Sequence, residues 1–266
     1  MTPTTDPPAG PPADPTRAEL AALLAEVRAS AGHLTATLDG LTDRQAREPS
    51  ALPDWSRAQV ITHLARSADA YRRLLTRAGT GVESGPRADA AAPARALREG
   101  ADRGAAELVA DLRRSLDGMF EAAAAMPEDR WSVLVPALAG WRHPAWFTLH
   151  RARREFETHH VDLNLGRGPA DWPAGYVTWA LDATAATLGA RDFPVARLEA
   201  VDLGRAWTLG AAGPVVSGPG HVLLAWLAGR GPAPRAAAAP VPPVPSAPPA
   251  LPAPPVWPLP PVPGWG

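Results

Sequence analysis

Apolar residues recur three and four apart through most of the first two thirds of the chain, the spacing that lines one face of an α-helix. Leu20, Leu23, Leu24, Val27, Ala31, Leu34, Leu38 and Leu41 make the first stripe, about 25 residues long. Asp14-Pro15 ahead of it supplies an N-cap followed by proline at the first helical position, and Gly40 loosens its end. A second stripe, Val60, Ile61, Leu64, Ala68, Tyr71, Leu74 and Leu75, runs from a Ser56–Gln59 capping box to about Arg77, with His63 on its border. A third segment, from about Ala91 to Met126, carries Leu97, Leu108, Leu112, Leu116, Met119 and Phe120, and Gly100 and Gly104 weaken its first half. After a tryptophan-bearing connection over residues 127–143, Pro144 opens a fourth helix that stops near Gly166-Arg167-Gly168-Pro169. Four amphipathic segments of this kind predict a four-helix bundle over residues 14–168.

From about Asp171 the periodicity changes. Tyr176 to Leu188 reads as a helix, then Ala196-Arg197-Leu198-Glu199-Ala200-Val201 alternates as a strand does. Trp207-Thr208-Leu209 and Pro214-Val215-Val216 are short strands between glycine-rich turns, and a helix from His221 to Leu227 ends at Gly229-Arg230-Gly231. The fold class is therefore α plus α/β, with a smaller C-terminal α/β domain over residues 171–231. Residues 1–13 are proline-rich without periodicity and read as disordered. Residues 232–266 hold 15 of the 33 prolines, a polyproline-type tail that is either a docking segment for a partner or a plain extension.

Composition narrows the function classes. A net charge of −1 and a pI near 6.7 argue against nucleic acid or an acidic membrane as partner. No apolar run approaches the ~20 residues that span a bilayer. The segment Met1-Thr2-Pro3-Thr4-Thr5-Asp6-Pro7-Pro8 has neither a basic start nor an apolar core, so the expected location is cytoplasmic. The chain has no cysteine, which removes disulfides, thiolate zinc sites and any nucleophilic thiol of the protein's own.

The densest chemistry lies in Arg154-Glu155-Phe156-Glu157-Thr158-His159-His160-Val161-Asp162-Leu163. On a helix Glu155 and His159 share a face one turn apart and can hold one metal ion. A third ligand has to come from elsewhere, and His63 leads the seven histidines because it sits on the border of a different helix. Two imidazoles and a carboxylate with an open fourth position are typical of catalytic zinc, although divalent iron or nickel also accepts them. Glu157 and His160 form an alternative pair, and a solvated helix face accounts for either pair without any metal.

Three segments carry a resemblance. Ser50-Ala51-Leu52-Pro53-Asp54-Trp55-Ser56-Arg57 with His63-Leu64-Ala65-Arg66, the stretch from Arg154 to Leu163, and Leu224-Ala225-Trp226-Leu227-Ala228-Gly229-Arg230 resemble the mycothiol-dependent maleylpyruvate isomerase family, over about residues 15–231. The resemblance implies a DinB-like four-helix bundle with zinc on His63, Glu155 and His159. It implies a catalytic arginine at Arg230, for which the competing reading is a helix-end cation, and it makes Asp162 either an orienting partner of a ligand or a solvent-facing acid. It further implies mycothiol as the thiol cofactor and a small electrophile as substrate, with maleylpyruvate converted from cis to trans to give fumarylpyruvate. The loop Gly81-Val82-Glu83-Ser84-Gly85-Pro86-Arg87-Ala88-Asp89 lacks the aromatic residue that family isomerases tend to carry there. A mycothiol S-transferase is therefore the alternative, and a non-catalytic DinB-like binding module the second alternative.

Overall fold

The computed structural model describes residues 12–82, 92–137, 140–234 and 251–254. Among these the protein is mostly helical, with eight α-helices and two small sheets, and the chain divides between Arg167 and Gly168 into two compact units.

The first unit begins with α1 (Arg17–Thr37), followed by a short α2 (Asp43–Arg47) and by α3 (Arg57–Thr80). The start of α1 corrects the sequence reading. Thr16, not Asp14, is the N-cap, because its hydroxyl accepts from the Glu19 amide while the Glu19 carboxylate accepts from the Thr16 amide at 2.8 Å. Asp14 instead accepts hydrogen bonds from Ser132 Oγ and Trp146 Nε1. A Thr42–Gln45 box starts α2 in the same way, and the expected Ser56–Gln59 box starts α3. Gly81, at φ 73°, ends α3 in the left-handed conformation that glycine adopts without strain.

The third apolar segment is two helices, α4 (Ala92–Ala101) and α5 (Ala105–Ala124), rather than one. Gly104 caps α5, and Gly100 brings α4 so close to α3 that a Cβ there would lie 2.0 Å from Thr62 Oγ1. The connection that follows contains an antiparallel hairpin, β1 (Leu134–Pro136) with β2 (Arg142–Pro144). Pro144 thus closes a strand and does not open the last helix of the unit, α6 (Phe147–Asp162).

Helix α3 packs against both α5 and α6, and α1 against α6 and α5. Leu34, Ile61, Leu64, Leu75, Leu112, Met119 and Phe156 fill the space between them, each almost wholly removed from solvent. Burial of each such side chain is worth about 1.5–3 kcal/mol. A polar clamp sets the register of α3 against α6. Arg57, itself buried, donates from Nε to the Leu163 carbonyl, from Nη2 to the Asn164 carbonyl, and from Nη1 to the Gln45 carbonyl and the Glu48 carboxylate. The Ala51 amide adds a bond to the Asp162 carbonyl.

The second unit runs α7 (Ala174–Gly189), β3 (Arg197–Ala200), β4 (Arg205–Thr208), β5 (Val215–Gly218) and α8 (Gly220–Leu227). The sheet order is β4-β3-β5, with β4 antiparallel and β5 parallel to β3. Leu198 and Ala200 alternate inward and pack with Val216, Tyr176, Leu181, Leu224 and Trp226 in a common core. The expected helices and strands of the α/β domain lie within about two residues of these elements. Residues 251–254 carry no regular structure. The rest of the proline-rich tail beyond 234, residues 1–11 and the loop from 83 to 91 lie outside the described residues. No described helix is long and apolar enough to cross a membrane.

Candidate metal centre

Helical spacing builds the site from two stripes. His63, Ser67 and Tyr71 follow one another at four-residue intervals on α3, and Arg151, Glu155 and His159 do so on α6. The packing of α3 on α6 turns the two stripes toward each other. His63 Nε2 lies 2.5 Å from Glu155 Oε1, and His159 Nε2 lies 3.4 Å from the same oxygen. The two imidazole rings stand 4.7 Å apart between centroids, inclined at 72°. One ligand atom from each of the three residues falls within 4.8 Å of the others. Their side chains keep 32%, 22% and 14% exposure, enough for a small molecule to reach them.

The surroundings hold each group in place. Ser67 Oγ donates to Glu155 Oε1 at 3.0 Å, and the buried Tyr71 hydroxyl also hydrogen-bonds this carboxylate. His159 Nδ1 lies 2.8 Å from the carboxylate of Asp162, a residue only 1% exposed. Asp162 is therefore a buried partner of His159 rather than a solvent-facing acid. The Trp55 ring meets His63 edge-on, its centroid 5.7 Å away.

Electrostatics follows from this arrangement. Burial alone would raise the Glu155 pKa, but hydrogen bonds to His159 and His63 outweigh it and hold the carboxyl well below its ordinary value. Burial works against charge on His159 too, yet the hydrogen bonds to Asp162 and Glu155 prevail and lift its pKa to about 9. Burial first, and then the Glu155 charge, push the Tyr71 phenol upward, so it serves as a neutral donor. The metal-free cluster thus attracts positive charge.

That observation tests the fit of a divalent cation. Two imidazole nitrogens and one carboxylate oxygen converge on one point, a donor set that zinc accepts. Asp162 engages Nδ1 of His159 and leaves Nε2 to offer a lone pair. The residues present fit the ion.

The alternative pair faces the other way. Glu157 accepts from Ser30 Oγ at 2.6 Å and from Arg167 Nη2 at 3.2 Å, and His160 Nε2 lies 2.7 Å from Thr37 Oγ1. Both are buried against α1. Arg230 belongs to the second unit, in the turn after α8, where its Nη1 donates to the Ala228 carbonyl. Sequence reasoning passed over Ser67 and Tyr71. Their signal was present as the four-residue repeat from His63, but both read as parts of an amphipathic stripe until the partner on α6 was known.

Residues 27–164, about half of the chain, match the sequence model of a family described as the mycothiol maleylpyruvate isomerase N-terminal domain. Two solved structures share the fold: a crystal structure of the mycothiol-dependent maleylpyruvate isomerase at 24% identity, and one of an alanine mutant of it at 23%. Each aligns over 81% of this chain and 96% of its own, with a TM-score of 0.74. A comparison with curated proteins gives no match.

Proposed function

The chain belongs to the mycothiol maleylpyruvate isomerase family by the domain it carries over residues 27–164, and from that premise we propose that it is a mycothiol-dependent cis–trans isomerase of maleylpyruvate type with a divalent metal, zinc by preference. The observation that carries the proposal is the convergence of His63, Glu155 and His159 between α3 and α6. In this reading the first unit is a DinB-like four-helix bundle over residues 14–168 that holds the metal, followed by an α/β domain over 171–231. The enzyme works in the cytoplasm.

A dication held there supplies one piece of chemistry, the acidification of a coordinated thiol to thiolate at neutral pH. The chain, having no cysteine, has to take that thiol from outside, which is the part mycothiol fills. The protein's own residues do the rest. His63 and His159 would present Nε2 lone pairs to the ion, and Glu155, which also accepts from Ser67 and Tyr71, would present an oxygen of its ionised carboxylate. Asp162 fixes the His159 tautomer. The Trp55 ring packs against His63 in a T-shaped contact and braces the imidazole. Arg230 is assigned the role of binding a substrate carboxylate through its planar donor fork.

Purified protein is expected to carry about one equivalent of zinc, lost in His63→Ala, and to isomerise maleylpyruvate only when mycothiol is supplied. Accumulation of a thiol adduct without isomerisation would establish the S-transferase instead, the reading favoured by the loop that lacks an aromatic residue. Protein that binds no metal and turns over neither substrate would leave only a binding module.

A further inference from the structure

Arg151 stands one helical turn before Glu155 on the same face of α6, and like Glu155 and His159 it is half-buried. Its guanidinium carbon lies 5.3 Å from the centre of the Tyr71 ring and 5.2 Å from that of Trp141, both within cation–π range. Nη1 donates to His143 Nε2 at 3.0 Å. That nitrogen can accept because His143 commits its Nδ1–H to the Pro144 carbonyl at 2.8 Å, and because burial pulls its pKa down to about 4. The Tyr71 ring that braces the arginine carries the hydroxyl that bonds Glu155.

A guanidinium has five N–H groups, and the described hydrogen bonds of Arg151 use one. Three other half-buried or buried arginines of this unit are matched to carboxylates: Arg153 to Glu26, Arg57 to Glu48, Arg66 to Asp111. Among the described residues no carboxylate forms an ion pair with Arg151. A cation positioned by two aromatic rings and a neutral imidazole, with its remaining donors uncommitted, is built to receive an anion.

We propose that Arg151 anchors one carboxylate of the substrate, one helical turn from the proposed metal ligand Glu155, the other carboxylate being the one assigned to Arg230. The inference rests on the isomerase reading for the identity of the ligand, a dicarboxylate with a cis double bond, for which maleate is the short probe. Binding to the carboxylate is bidentate and planar, so a lysine replaces the charge but not the fork.

The test is calorimetric titration of the zinc-loaded full chain with maleate and, separately, with its monoamide. The wild type binds maleate more tightly than the monoamide. Arg151→Gln weakens maleate roughly ten- to a hundredfold, the scale of one charge-assisted bidentate contact, and abolishes the preference, with zinc content and melting temperature unchanged. Arg151→Lys falls between the two and carries the test if the glutamine variant fails to fold. Equal maleate affinity in wild type and variants, or no preference in the wild type, overturns the proposal. Maleate anchored through Arg151 without mycothiol-dependent turnover would leave this assignment standing and refute the isomerase reading. Turnover with an unaltered KM in Arg151→Gln would do the reverse.

Discussion

Replacing Asp162 by asparagine is expected to alter the proposed metal centre without touching a proposed ligand. The Asp162 carboxylate lies 2.8 Å from His159 Nδ1 in a position 1% exposed, and asparagine there keeps an acceptor but removes the charge. A charge-assisted hydrogen bond of this kind is worth about 1.5–3 kcal/mol, and loss of such a partner weakens metal binding about 10–100-fold. Protons complicate the observation in a useful way. In the metal-free protein His159 holds its proton up to about pH 9, because the hydrogen bonds to Asp162 and Glu155 outweigh burial. Zinc bound there would have to displace that proton, so wild-type affinity is expected to rise about tenfold per pH unit up to about 9. Without Asp162 the His159 pKa falls, the competition ends at lower pH, and part of the lost affinity is restored near neutrality. Competition titrations against a chelator across pH 6.5–9.5 are therefore expected to show the full deficit of Asp162→Asn only above pH 9, and a smaller one at pH 7. A deficit that is constant across this range, or absent throughout, would refute the linkage between His159, Asp162 and the ion.

Three further outcomes follow from the packing and the buried charges. Arg57→Leu leaves the carbonyls of Leu163, Asn164 and Gln45 without their donor, and urea unfolding should report a loss of about 3–5 kcal/mol; a change under about 1 kcal/mol would mean that the clamp is ornamental. Phe156→Ala opens the centre of α6 and should destabilise by about 3–5 kcal/mol in the same assay. His143, pushed down to about 4 mainly by burial, takes up its proton in the unfolded chain near 6.5 before it does so in the folded one. Its contribution to stability is then present above pH 6.5 and lost as the pH falls toward 4, and nitrogen NMR of the imidazole should find it neutral at pH 6, with a midpoint near 6.5 contradicting its burial.

The helices were readable because their apolar stripes are long, and Glu155 with His159 because a four-residue interval on a helix implies proximity. What decided between that pair and Glu157 with His160 was tertiary: Ser30 and Thr37 of α1 occupy the second pair, and nothing local in α6 distinguishes the two faces. The β1–β2 hairpin escaped notice since strands of three residues leave no alternation to detect. The break between α4 and α5 was hinted at by Gly100 and Gly104, but only the approach of α4 to Thr62 explains the need for glycine at position 100. At the N-terminus two cap signals competed, Asp14-Pro15 and Thr16 with Glu19. The second prevailed because it satisfies two backbone groups reciprocally, while Asp14 serves Ser132 and Trp146. Arg151 was visible as one more residue on the Glu155 stripe, and its aromatic partners were not, since Tyr71 and Trp141 come from distant segments.

The most direct measurement is a crystal structure of the zinc-loaded protein with anomalous data collected across the zinc edge. A single anomalous peak bonded to Nε2 of His63, Nε2 of His159 and an oxygen of Glu155, with a position left open to a thiol, is the expected result. Zinc bound elsewhere, or an unbroken hydrogen bond between His63 and Glu155 with no ion beside it at saturating metal, would contradict the account at its root.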